Sequence, residues 1–186
     1  MNEEVRLSSP KNDSGEADPP DWVLRAIKEH ESGLLRYAQH FVFDLETARD
    51  VVQDTFLQMC RKANDEIRPR LAQWLYTVCR NRAIDVCRKE RRMKLASEDH
   101  LANSVADKND PQQNPVAAME KEEAAAGLIA QVSTLPDRQQ EILRLKFNAG
   151  LSYQEIAEVT GLTSTNVGFI LHTAISKLRV KLQANA

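Results

Sequence analysis

The stretch YQEIAEVTGLTSTNVGFILH, Tyr153 to His172, holds two apolar helical patterns hinged on one glycine. Ala157 is small where two helices would have to cross closely. Gly161, four residues on, can take a positive φ, and Val167, six further, can pack back onto the preceding helix. Together these positions describe a helix-turn-helix, whose second helix presents its N-terminal part to a major groove. A plain helical hairpin uses the same turn, so the motif alone leaves DNA contact open.

The flanking residues extend the pattern in both directions. Ser152 and Glu155 stand three apart as a capping box, and Thr163 is placed to cap the second helix. Upstream, LPDRQQEILRLKFNAG reads as a further helix with Pro136 in its first turn, running to about Phe147 before Asn-Ala-Gly ends it. This compact unit spans residues 127–182.

In the second helix of the motif, Val167, Leu171, Ala174 and Leu178 repeat at core spacing. Its outward side then carries Ser164, Thr165, Asn166, Gly168, Phe169 and His172. Serine, threonine and asparagine can hydrogen-bond base edges or phosphates, and asparagine can pair bidentately with adenine. His172 by itself reads as a solvated side chain. No Lys or Arg occurs before Lys177, which with Arg179 and Lys181 suits phosphates better than bases. Two readings of Phe169 and Ile170 follow: apolar contact with thymine methyls or sugars, or burial under another surface. Either way, this helix is expected to carry a minority of DNA binding.

The N-terminal half is also helical. Residues 1–20 are polar and Pro-rich and read as a disordered tail. Periodicity begins at Trp22, with apolar residues at 23, 27, 34, 35, 38 and 41 and Asp21 as the expected cap. A second stripe joins Leu45, Ala48, Val51, Val52, Phe56 and Met59. After Pro69, Leu71, Leu75 and Val78 share one face, while Arg70, Gln73, Thr77, Arg80, Asn81 and Arg88 share the other. Residues 95–126, with Pro111 and Pro115 and little to bury, read as a flexible acidic linker. Its last part, 116–126, is compatible with a helix. The expected fold class is all-α: two small helical domains, 21–94 and 127–182, joined by that linker.

Charge is unevenly spread beneath a net charge of −2. Residues 61–94 carry eleven basic against four acidic side chains, a net +7. Residues 1–60 carry six against twelve and residues 95–126 two against seven. A basic block between acidic ones is the footprint of a polyanion partner. Cys60, Cys79 and Cys87 form no C-x-x-C pair and read as small hydrophobes in a reducing compartment. No apolar run approaches the roughly 20 residues of a membrane span. No Ser/His/Asp set, phosphate-cradling glycine motif or metal-spaced carboxylate cluster stands out. No enzyme activity, cofactor, metal site or small-molecule substrate is therefore expected, and the protein is expected in the cytoplasm.

DLETARDVVQDTFLQMCRK, then WLYTVCRNRAIDVCRKERR, a polar linker and LPDRQQEILRLKFNAGLSYQEIAEVTG resemble, in that order, the extracytoplasmic-function sigma factors of bacterial RNA polymerase. The likeness covers about residues 22–182. It implies that Asp50, Gln53, Asp54 and Phe56, the acidic-x-x-Gln-acidic-x-Phe pattern, dock on core polymerase. It implies that the helix of Trp74, Leu75, Val78, Asn81, Asp85 and Arg88 meets the −10 promoter element, with the loop at about 64–69 holding a flipped base. Arg70, Gln73, Thr77, Arg80, Asn81 and Arg88 then read the opened strand, and Arg91 and Arg92 hold its phosphates. Trp74 reads as core; Tyr76 fits either core or stacking platform. The −35 element would meet Ser164, Thr165, Asn166, Phe169, His172 and Lys177. The family usually carries basic residues where this chain has Gly168, Ile170 and Thr173. The linker would run through polymerase near the template strand or act as a plain tether. The resemblance also implies an anti-sigma partner. The alternative is a stand-alone helix-turn-helix regulator; a recombinase or nuclease with such a tail lacks its nucleophile here.

Overall fold

The computed structural model describes residues 21–42, 44–62, 67–96 and 129–184. The expected tail, the linker beyond Ala96 and the start of the 64–69 loop lie outside the described residues. Besides a helical turn at 129–133, the described residues form α1 (Asp21–Ala38), α2 (Leu45–Arg61), α3 (Leu71–Ala96), α4 (Asp137–Leu143), α5 (Tyr153–Thr160) and α6 (Ser164–Ala184). There is no strand among the described residues.

The first three helices form one bundle around Val23, Leu34, Tyr37, Val51, Met59 and Leu75, all fully buried. Burying side chains of this size contributes roughly 1.5–3 kcal/mol each. Asp44 starts α2, its Oδ2 accepting from the Thr47 amide at 2.7 Å and the Thr47 hydroxyl at 2.9 Å. Those local bonds hold its carboxyl below the usual aspartate range. The expected α2 stripe is buried except at its first residue, Leu45, which is exposed at the helix end.

One expectation needs correction here. The inner face of α3 runs Leu75, Tyr76, Cys79 and Ala83, with Val78 only half-buried. Because α3 packs against both α1 and α2, its buried strip is wider than one stripe and takes in residues 76 and 79. Tyr76 is therefore core, its ring edge-on to Tyr37 at 5.1 Å, and Trp74 is half-buried against the same cluster.

In the C-terminal unit the helix after Pro136 does not run regularly to Phe147. It widens into a π-turn at Arg144–Asn148, and Gly150 then turns the chain at φ 69°. The Leu151 amide and the Lys146 ammonium close that turn on the Leu145 and Leu151 carbonyls at 3.1 Å each. Ser152 and Glu155 form the expected capping box, Gly161 ends α5 at φ 70°, and the Thr163 hydroxyl accepts from the Asn166 amide at 3.2 Å. Val167, Leu171, Ala174 and Leu178 are all buried. This is the helix-turn-helix.

Candidate nucleic-acid interface

Helix α3, 26 residues and roughly 39 Å long, carries the basic block on its polar side. That side divides in two. Asn81, Asp85, Arg88, Arg91 and Arg92 are exposed, and Asp85, Arg88, Arg91 and Arg92 line a shallow basic depression. Nearer the N-terminus, Gln73, Thr77 and Arg80 are half-buried beneath the C-terminal unit, because α3 packs against α5.

One carboxylate organises that covered half. Glu141, on α4, is 4% exposed. Its Oε1 accepts from Arg80 Nε at 2.6 Å and from the Tyr37 hydroxyl at 3.2 Å, while Oε2 accepts from Arg138 Nη1 at 3.0 Å. A buried carboxylate needs this many donors, since an unpaired one would cost several kcal/mol. Burial, then the nearby Glu141 charge, pushes the Tyr37 phenol well above its ordinary value. Tyr37 therefore stays a neutral donor. Two turns before Arg80, Gln73 Nε2 donates to Glu158 of α5 at 2.5 Å, and between them the Thr77 hydroxyl folds back on the Gln73 carbonyl at 2.8 Å.

On α2, Asp50 and Gln53 are exposed, and Asp54 is half-buried and ion-paired to Arg82 at 2.7 Å. Thr47, Asp50 and Asp54 border a groove of about 490 Å³ whose far wall is Arg82, Asp85, Lys89 and Met93 of α3. On α6, Ser164, Thr165, Asn166, His172 and Lys177 are exposed, and Phe169 projects with 71% of its surface free. Gly168 lies over the Tyr153 ring, where a Cβ would sit 3.5 Å from Cε2.

Residues 26–93 match the family described as Sigma-70 region 2, and residues 126–178 match Sigma-70, region 4. The ECF RNA polymerase sigma factor SigL of Mycobacterium tuberculosis is 32% identical over 174 residues, covering 91% of this chain and 94% of its own. The chain belongs to the sigma-70 family. Another relative, the ECF RNA polymerase sigma factor RpoE of Cereibacter sphaeroides, is 29% identical over 180 residues, covering 88% of this chain and 96% of its own. Among solved structures, the Bartonella quintana sigma factor RpoE in complex with the anti-sigma factor NepR aligns with TM-score 0.64 at 21% identity, over 88% of this chain and 98% of that one. CnrH in complex with the cytosolic domain of CnrY aligns with TM-score 0.55 at 23% identity, over 88% and 89%. The protein is an ECF sigma factor, a subunit that directs core RNA polymerase to promoters.

Within this sigma factor, the residues expected to act together are distributed over three faces. Asp50, Gln53 and Asp54 lie on one. Phe56 does not join them: it is 8% exposed and packs into the bundle core, supporting that face from beneath. Of the expected −10 readers, Arg70, Asn81, Arg88, Arg91 and Arg92 are exposed, whereas Gln73, Thr77 and Arg80 are half-buried. Phe169 is exposed among the described residues, and the linker expected as one possible cover lies outside them, while Ile170 is half-buried against the core. Glu141, Glu158 and Tyr37 were not expected at any site. Glu141 had a sequence signal: a charge four residues before the buried Leu145, on the side of the helix that packs.

No helix among the described residues is long and apolar enough to cross a membrane. Among the described residues, no group of three or more His, Cys, Asp and Glu could hold a metal ion.

Proposed function

We propose that this sigma factor divides its work among three faces. Asp50, Gln53 and Asp54 of α2 meet core polymerase. The polar side of α3, from Arg70 and Gln73 through Asn81 and Arg88 to Arg91 and Arg92, captures the opened −10 strand. The outer side of α6, from Ser164 to Lys177, meets the −35 duplex. The observation that carries this reading is the exposure of Asp50 and Gln53 on α2 and of Asn81, Arg88 and Arg91 on α3 of one bundle, with Asp54 and Arg82 paired across the groove between the helices. A protein partner and a polyanion would then use different residues.

The chemistry suits each face. Capturing unpaired bases needs polar edge readers and backbone cations, since opening costs a few kcal/mol per step. Asn81, Arg88 and Arg91 offer both. The −35 helix offers Ser164, Thr165 and Asn166 for polar readout and Phe169 for a methyl or sugar. The protein acts in the cytoplasm as a binding subunit without catalysis of its own. An anti-sigma factor is its proposed inhibitory partner, a reading supported by the structural neighbour solved in complex with the anti-sigma factor NepR. A stand-alone helix-turn-helix regulator would have no use for the region 2 bundle. The test is run-off transcription from genomic fragments with core polymerase and the purified chain. Specific start sites absent with core alone support the reading; none from any fragment, with no complex on gel filtration, refutes it.

A further inference from the structure

The turn that leads into α3 is clasped to the start of α1. Arg68–Arg70 form a 3-10 turn directly before Leu71, with the Arg70 amide donating to the Ile67 carbonyl at 3.2 Å. Ile67 packs against the bundle core, and the Pro69 ring fixes its own φ. The Arg68 guanidinium carbon lies over the Trp22 ring, 5.6 Å from its centre. Trp22, in the first turn of α1, is half-buried against the same core, so its ring is a fixed platform. Arg68 and Arg70 are both exposed and stand at the head of the polar side of α3. The sequence patterns assign Arg70 to the opened strand and leave Trp22 without a role. A cation–π contact orders a guanidinium without cancelling its charge. An arginine ordered beforehand then loses less side-chain freedom when it closes on an anion.

We infer that Arg68 is a further phosphate contact for the opened −10 strand and that Trp22 is its positioning residue. This rests on the proposed role of the α3 polar side. The cations of that side then extend past the first turn of α3 onto the connection before it. Trp22 carries no charge and acts on the strand only through Arg68. An aliphatic side chain could fill the same half-buried place, but it offers no π face on which a guanidinium can rest. Phenylalanine offers one. The choice of an aromatic residue in the first turn of α1 is thereby tied to the grip on DNA rather than to the core alone.

The test uses holoenzyme assembled from the full chain and a fluorescein-labelled single strand of random sequence, with core polymerase alone as the baseline. Arg68→Ala and Trp22→Leu should each weaken binding by about threefold or more. The double variant should bind no more weakly than Arg68→Ala, because Trp22 acts through Arg68. Trp22→Phe should restore most of the affinity that Trp22→Leu loses. Trp22→Leu should also lower the slope of log affinity against log salt by up to about 0.7, although it removes no charge. A Trp22 that served the core alone would lower the melting temperature, leave that slope unaltered and multiply its effect with that of Arg68→Ala. Multiplied losses, an unaltered slope, or wild-type binding by Trp22→Leu would overturn the inference. If Trp22→Leu unfolds the chain, Arg68→Ala, at an exposed position, carries the test: a slope equal to wild type overturns the contact. Failure of the underlying reading is separate, since Asn81→Ala with Arg88→Ala would then bind the probe as wild type does.

Discussion

A Cβ added at residue 33 would lie 2.7 Å from the Tyr76 hydroxyl oxygen but 4.0 Å from the ring carbon that bears it. Gly33 in mid-α1 is thus the notch that admits Tyr76 of α3. Ala in place of Gly in a helix interior normally gains up to about 1 kcal/mol. Here overpacking, typically about 1–3 kcal/mol, should win. Gly33→Ala is expected to lower stability, and Gly33→Ala with Tyr76→Phe to exceed Tyr76→Phe alone. Urea unfolding of the four proteins checks the cycle. Additive effects would rule out the notch.

The capping box gives a pH-dependent prediction. Its bonds to Ser152, side chain first and then backbone, hold the Glu155 carboxyl below its ordinary range. A depressed carboxyl stabilises the fold above its unfolded pKa, and that contribution disappears as pH falls through the folded value. Asp44 behaves the same way through its bonds to Thr47. Ser152→Ala should cost about 1 kcal/mol at neutral pH. The difference from wild type should shrink in acid, once Glu155 is protonated in both proteins. Melting curves across the acid range measure it; a pH-independent difference would show that the Glu155 carboxyl takes no part in it.

The legibility of this chain follows the range of its interactions. The capping box, Gly161, and the Val167 to Leu178 frame are local patterns, each written within a few residues, and all form as expected. Glu141 could not be matched to Arg80 because the pair is 61 residues apart and joins two units. Phe56 was assigned to a partner surface because a motif marks a segment without saying which way each side chain points. The π-turn at Arg144–Asn148 departs from helical periodicity without any proline or glycine to announce it.

Asn166 and Phe169 separate polar from apolar readout on α6. Both are exposed, so truncation should leave the melting temperature within the small range of surface changes. Asn166→Ala should remove discrimination worth about 1–3 kcal/mol at one −35 position. Phe169→Ala should weaken promoters with thymine at the contacted position and spare the others. Transcription from a library randomised across the −35 element reads both; an unaltered preference in either variant would remove that residue from the reading.

Salt dependence locates the electrostatic grip. Each lost phosphate contact on a single strand lowers the slope of log affinity against log salt by about 0.7. Arg91→Ala with Arg92→Ala should therefore reduce the slope for −10 strand binding by the holoenzyme by roughly one to one and a half. Lys177→Ala should leave that slope unaltered. A slope equally sensitive to Lys177 would mean that the cations of α3 do not dominate.

The division of labour between α2 and α3 is tested most directly by measuring core binding and run-off transcription on the same two variants. Asp50→Ala with Gln53→Ala should lose both core binding and transcript. Asn81→Ala with Arg88→Ala should bind core polymerase as wild type does, yet give little or no promoter-specific transcript. If the second pair transcribed normally, or if the first still bound core fully, the assignment of these faces would be wrong.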